Sequence, residues 1–168
     1  MFENITYQTI KQKDESQLKS LIERSLSLLE CPDFFIPYSK WELDNFFDVD
    51  YAYLHGAYDG DILVGMAQIY VQKDILEEEM KLLGITEEKT CEFGGNLLLP
   101  EYQGKGIMTA LIKMQIDFIK QLDYKYVIAK THPDNIAGNK LFTKIKMEKR
   151  GIFTLNNGFI RNIYLMKL

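Results

Sequence analysis

Residues 100–113, PEYQGKGIMTALIK, set Gly104 and Gly106 on either side of Lys105. An apolar run, Leu97–Leu99, comes before them, and an amphipathic helical pattern follows. Glycines at a strand-to-helix junction let backbone N–H groups approach a phosphate, and the positive end of the helix favours the anion. The stretch is not a P-loop, because GxxxxGK[ST] requires glycine where Leu99 stands and Ser or Thr where Gly106 stands. A dinucleotide fingerprint, GxGxxG, fails at Thr109. It also lacks the acidic residue expected at the end of the next strand, where Lys130 stands.

Just upstream, CEFGGNLLL (91–99) reads as a strand interrupted by Gly94 and Gly95, the mark of a bulge or of a close backbone approach. Glu92 sits in it. Placing a carboxylate within an apolar strand costs desolvation energy, so packing alone does not account for it. The competing reading is a glutamate exposed at an edge or held by hydrogen bonds. A third feature is the segment 33–53. There Phe34, Phe35, Tyr38, Trp41, Phe46, Phe47, Tyr51 and Tyr53 are interleaved with Asp33, Glu42, Asp44, Asp48 and Asp50. Aromatic faces edged with carboxylates suit an amine or cation, although most of these rings also read as core. His55 reads as a locally packed histidine.

These residues must be held by elements that the hydrophobic pattern outlines. Residues 4–10 alternate as a strand, and Leu18, Leu21, Ile22, Leu26 and Leu29 mark a helix over 15–29. Pro32 and Pro37 interrupt 31–50, which holds a short helix around 39–47. Two strands over 52–71 turn at Asp59–Gly60, and two more over 147–168 flank Asn157–Gly158. The acidic stretch 72–89 reads as a short helix plus loop. A helix over 107–121, a strand over 124–130 and a helix over 136–145, capped by Asp134 or Asn135, complete the order. The sum is an α/β (α+β) fold, a mixed sheet of about seven strands with helices packed on it.

The 168 residues fit one domain spanning 1–168. Its composition, 46% hydrophobic and 26% charged, is that of a soluble globular protein. No apolar run is long enough to span a bilayer and no signal-peptide pattern opens the chain, so a cytoplasmic protein without membrane contact is expected. Cys31 and Cys91 have no metal-ligand spacing, and with His55 and His132 as the only histidines a metal site is not expected. The net charge of −4 argues against nucleic acid as a partner. That charge is unevenly spread: residues 1–100 hold 8 Lys/Arg against 19 Asp/Glu, and residues 101–168 hold 12 against 5.

Gln103 opens the pattern Q/R-x-x-G-x-G/A, with Gly106 in fourth place and Met108 where Gly or Ala is usual. With LLLPEYQGKGIMTALI, the helix start DNIAGNKLFTKIKM and the closing hairpin, the chain resembles the GNAT N-acetyltransferase superfamily. The resemblance runs over residues 3–168 and is most specific over 91–147. It implies a mostly antiparallel sheet with helices on both faces and with strands four and five splayed. It also implies acetyl-CoA as cosubstrate: the pyrophosphate on the N–H groups of Gln103, Gly104, Lys105, Gly106, Ile107, Met108 and Thr109, the pantetheine arm along Leu97, Leu98 and Leu99, and Asn135 and Phe142 beside the cofactor.

By the same resemblance Glu92 is the catalytic base, acting directly or through water, and residues 33–53 form one wall of the acceptor site. His132, just after the fifth strand, lies near the cleft, and Lys140 and Lys144 lie near the CoA phosphates. Phe142 stands where many members carry a tyrosine acid, with Tyr102 and Tyr164 as stand-ins. The implied activity is an acyltransferase, transferring groups other than aminoacyl groups, that acetylates an amine of a small molecule, protein or peptide by direct attack. A homodimer is an open expectation. A non-catalytic acyl-CoA-binding or regulatory module, and a nucleotide-binding enzyme that shares the loop, remain open alternatives.

Overall fold

Period-two alternation builds the sheet, and the computed structural model describes residues 5–87 and 89–168 of it. Strand β1 spans Ile5–Thr9, so the expected start at residue 4 lies outside the described residues. Helix α1 (Glu15–Ser27) buries Leu18, Leu21 and Ile22 and ends before Leu29. Helix α2 (Lys40–Asp44) is short and carries a reciprocal cap. Ser39 Oγ accepts the Glu42 N–H at 3.2 Å, and the Glu42 carboxylate accepts the Ser39 N–H at 2.7 Å.

Strands β2 (Ala52–Asp59) and β3 (Ile62–Tyr70) form the first hairpin. Helix α3 (Lys73–Leu83) fills most of the acidic stretch read as a short helix plus loop. It forms because Leu76 and Met80 fall on one buried stripe of an otherwise charged segment. Then come β4 (Thr90–Leu98), α4 (Ile107–Gln121), β5 (Tyr126–Thr131), α5 (Ile136–Lys144) and the hairpin β6 (Glu148–Thr154) with β7 (Ile160–Lys167). Asn135 is the α5 cap, its Oδ1 accepting the Gly138 N–H at 2.9 Å.

The sheet order is β1-β2-β3-β4-β5-β7-β6, antiparallel throughout except for β4 and β5. Helices α1 and α3 bury one face, with Leu18, Leu21, Leu76 and Met80 among its core. Helices α4 and α5 bury the other, where Leu111, Ile112, Ile119 and Phe142 meet Ala67, Ile69, Cys91, Phe93, Val127 and Ala129. Alternation along β4 therefore sends Cys91 and Phe93 to the α4 face and Glu92 to the face that carries α3.

The parallel pairing lasts four residues, from Thr90 opposite Tyr126 to Phe93 opposite Ala129. Beyond it β5 stays with β7, and β4 bulges at Gly94–Gly95 and continues on β3, Met66 opposite Leu97 and Gly65 opposite Leu98. The two strands splay from this point. The bulge requires glycine: Gly95 has φ +57, and a Cβ on it would stand 2.2 Å from Gln68 Oε1. A Cβ on Gly94 would meet the Tyr70 ring at 2.3 Å.

Candidate functional site

A single 3-10 turn over Pro100–Tyr102 delivers the chain from β4 to the glycine loop. Gly104 (φ +74) and Gly106 (φ +79) are both left-handed, and among the described residues none beyond the chain neighbours comes within 4 Å of where either Cβ would project. Gly106 caps α4 without a side chain, so the N–H groups of Ile107, Met108 and Thr109 have no acceptor within the helix. These donors lie at the positive end of a 15-residue helix, and the space beside both glycines is open, an arrangement that fits a phosphate. Met108 packs against the α4 core, which turns its bulk away from the loop. Lys105 donates to the Glu101 carbonyl and lies over the Tyr102 ring at 5.4 Å.

Splaying exposes one edge of β4. Leu99 donates its N–H to Val64 O at 3.0 Å and accepts the Tyr102 N–H at 2.9 Å, so both its backbone groups are engaged. By alternation Leu97 also addresses β3, and Leu98 turns its N–H and C=O to the open side. The Gln103 side chain donates to Leu98 O at 3.2 Å and ties the loop to this edge. Of the three leucines expected along an extended ligand, Leu98 is the one whose backbone N–H is left for it, its C=O already accepting from Gln103.

Glu92 is 4% exposed and lies opposite Tyr70 on β3 and Ile128 on β5. Its Oε1 is 3.3 Å from Lys130 Nζ, and its Oε2 is buried with no hydrogen-bond partner among the described residues. Lys130 also bonds Glu79 of α3, whose second oxygen is likewise buried and unpartnered. Burial pushes the Glu92 carboxyl up to about 7; Lys130 opposes this and Glu79 adds to it. Burial acts to lower the Lys130 ammonium, but the two carboxylates outweigh it and hold it above its ordinary value.

The aromatic wall packs largely on itself, with Tyr38 edge-on to Phe35 at 5.2 Å and to Phe46 at 4.8 Å, and Trp41 edge-on to Tyr51 at 5.0 Å. Tyr38 and Tyr70 both donate to Gln68 Oε1, at 2.6 and 3.1 Å, directly under the bulge. Burial raises both phenols, so each keeps its proton. Two carboxylates of this segment serve structure: Glu42 caps α2 and accepts the Tyr51 hydroxyl at 3.0 Å, and Asp44 pairs with Lys40. The Phe34 ring sits 5.4 Å from His132, which joins the wall to the end of β5.

On α5, Phe142 is buried beside Tyr164, their rings 5.4 Å apart. Tyr102 donates its hydroxyl to Asp59 at 2.8 Å. A cavity of about 650 Å³ between α5 and the last hairpin is lined by Asn139, Lys140, Lys144, Lys149, Asn162 and Tyr164 among others. Neither the glycine loop nor Glu92 lines it, so the loop and the splay, not this cavity, define the site. Glu79 and Lys130 are the site residues the sequence reading missed. Their signal was available: Glu79 falls on the apolar stripe of α3 between Leu76 and Met80, and Lys130 shares a strand face with Ile128.

Parallel strands that part at a glycine bulge, followed by a glycine loop capping a helix, define an acetyltransferase fold. The family profile described as Acetyltransferase (GNAT) family matches residues 21–147. The chain belongs to that family. It is similar in structure to an N-acetyltransferase from Staphylococcus aureus Mu50, at 16% identity and TM-score 0.75 over 98% of this chain and 99% of that one. It is also similar to the ribosomal-protein-S5-alanine acetyltransferase of Vibrio fischeri, at 18% identity and TM-score 0.73 over 99% and 94%. A third likeness, at 15% identity and TM-score 0.68 over 98% and 99%, is to a chain of the NatC complex bound to Gag peptide and CoA. No curated protein sequence gives a significant match. Among the described residues, no helix is long and apolar enough to cross a membrane.

Proposed function

We propose that the chain is one cytoplasmic catalytic domain that moves an acetyl group from acetyl-CoA to an amine of a small molecule, protein or peptide. The observation that carries this reading is the position of Glu92. It is buried, with one unpartnered oxygen, two residues before the bulge at which β4 leaves β5.

Bound acetyl-CoA supplies the thioester carbon that the amine attacks. The residues of the chain do the rest. The donors from Gly104 to Thr109 hold the pyrophosphate, and Leu98 presents its N–H to the pantetheine arm as a neighbouring strand does. An alkyl ammonium, with a pKa of about 10.4, must lose a proton before it can attack. Glu92 Oε2 takes that proton, directly or through one water. A C–N bond forms and the C–S bond breaks; the departing sulfur leaves as thiolate and takes up, through water, the proton that the new amide nitrogen sheds. A thiol of ordinary pKa about 8.5 leaves tolerably without an acid, so phenylalanine at 142 is compatible with turnover.

The same Phe142 favours a second reading, a module that binds acyl-CoA without transferring the acyl group. An amine panel followed by free-thiol release separates the two. Turnover with at least one primary amine is the expected result. Tight acetyl-CoA binding with no thiol release across polyamines, amino acids, aminoglycosides and N-terminal peptides leaves the binding module.

A further inference from the structure

Lys130 stands between two buried carboxylates on different elements. Its side chain is 15% exposed, those of Glu79 and Glu92 are 3% and 5% exposed, and one oxygen of each carboxylate has no partner. One cation set against two carboxylates is not an arrangement that packing alone favours, because each buried charge gives up its hydration. The bonding is also unequal. Lys130 hydrogen-bonds Glu79 closely and stands 3.3 Å from Glu92.

We propose that Glu79 and Lys130 are positioning residues for Glu92: Glu79 draws the Lys130 ammonium toward α3, so that it orients the Glu92 carboxylate yet leaves it basic enough to accept a proton. This rests on the reading of Glu92 as the base. The argument is electrostatic. If Lys130 had Glu92 as its sole partner, the full attraction of the ammonium would hold that carboxylate ionised and make it a poor base. Glu79 takes up much of that attraction and adds a negative charge of its own, and both effects raise the proton affinity of Glu92. At the same time Lys130 occupies Glu92 Oε1, so that Oε2 is the oxygen left for the incoming proton.

The other groups that face Glu92 are few. Tyr70 from β3 feels its charge and stays protonated; Tyr38 and Tyr51 behind it are raised by burial and by Glu42 of α2. Cys91, on the opposite face of β4, is raised by burial and by Glu92. None of these groups is a second cation, so Lys130 and Glu79 carry the opposed effects.

The test is a carbon-13 NMR titration of the Glu92 carboxyl in the full chain labelled at glutamate, assigned by its absence in Glu92→Gln. Glu79→Gln is expected to move the midpoint to lower pH by about one unit, and Lys130→Met to move it upward by about one unit. Lys130→Arg, which keeps the cation, should stay close to wild type. A merely structural role would not give shifts of opposite sign in two folded variants. If Lys130→Met does not fold, Glu79→Gln and Lys130→Arg still decide the matter. An unmoved or upward-shifted midpoint in Glu79→Gln overturns the proposal. Unchanged kcat in Glu92→Gln would instead remove the base assignment, and the titration reads the coupling whether or not that happens.

Discussion

Tyr164 donates its hydroxyl to Asn139 Oδ1 at 2.6 Å, and Asn162 Nδ2 donates to the same oxygen, also at 2.6 Å. The Asn139 amide nitrogen in turn reaches the carbonyls of His132, Pro133 and Asn135, at 3.0, 3.0 and 2.7 Å. One side chain therefore fastens β7 to the loop that enters α5. The Tyr164 proton is committed to this link. Tyr164→Phe should leave kcat within a few-fold of wild type, and Asn139→Ala should lower unfolding free energy by on the order of 2–4 kcal/mol in urea melts, since it orphans several polar groups at once. A hundred-fold fall in kcat for Tyr164→Phe at unchanged stability would make the tyrosine a catalytic acid after all.

Gly106→Val places branched carbons where phosphate oxygens are expected and forces a β-branched residue into a left-handed conformation. It should abolish the rise in Tm that acetyl-CoA gives the wild type by mass action. Gly60→Val is the control: φ there is +60 in an open turn between β2 and β3, so it carries similar backbone strain. That variant should lose stability and keep the acetyl-CoA shift. Equal shifts in wild type and Gly106→Val would remove the loop from the site.

Glu92→Gln keeps the shape of the side chain and removes its basicity. Acetyl-CoA affinity should be unchanged, and kcat should fall by about 10²–10⁴-fold at neutral pH, the range for a general base. With the carboxyl near about 7, the wild-type rate should rise through neutrality. The deficit of the variant should shrink at high pH, where more of the acceptor arrives neutral. A kcat within a few-fold of wild type at pH 7 would point to water or a backbone carbonyl as the base.

Glu92 and His55 should pull the pH dependence of stability in opposite directions. Glu92 is raised from an ordinary 4.5 to about 7, so its contribution to stability is complete below 4.5 and is lost as pH rises to about 7. His55, which lies 3.3 Å from Gln115, is pushed by burial from 6.5 down to about 4, so its contribution is present above 6.5 and is lost as pH falls toward 4. Urea midpoints between pH 4 and 8 should therefore rise more steeply with pH in Glu92→Gln than in wild type, and less steeply in His55→Leu. Identical profiles for wild type and both variants would refute the two assignments together.

A cationic acceptor should be drawn in by the acidic half of the chain. Raising ionic strength should then increase its apparent KM with little change in kcat, because screening weakens long-range attraction. An anionic or hydroxyl acceptor emerging from the panel, or a KM indifferent to salt, would contradict the inference.

Much of this was legible in the sequence where chemistry is local. Asp59–Gly60 and Asn157–Gly158 announced their hairpins, the stripe from Ile107 to Phe118 announced α4, and Gly94–Gly95 announced the bulge. What escaped were relationships across the sheet. Insertion of β7 between β5 and β6 depends on which edge the last hairpin finds, and that is not written in the turn itself. Glu79 was lost among Glu77 and Glu78 because a run of acids reads as a solvated face; only its register with Leu76 and Met80 sets it apart. Lys130 carries no local signal of its ion pairs, because its two partners lie 38 and 51 residues away.

The parting of β4 and β5 also determines what kind of molecule can enter. A strand edge at the rim of a sheet invites another protein's strand, and edge pairing of that sort leads to aggregation. The bare length of β4 lies inside the sheet, flanked by β3 on one side and by the diverging β5 on the other. Neighbouring strands lie about 4.8 Å apart, so room for one extended chain between β4 and β5 needs a gap roughly twice that wide. The wedge would thus act as a filter on thickness, suited to a thin, amide-bearing arm such as the proposed cosubstrate carries.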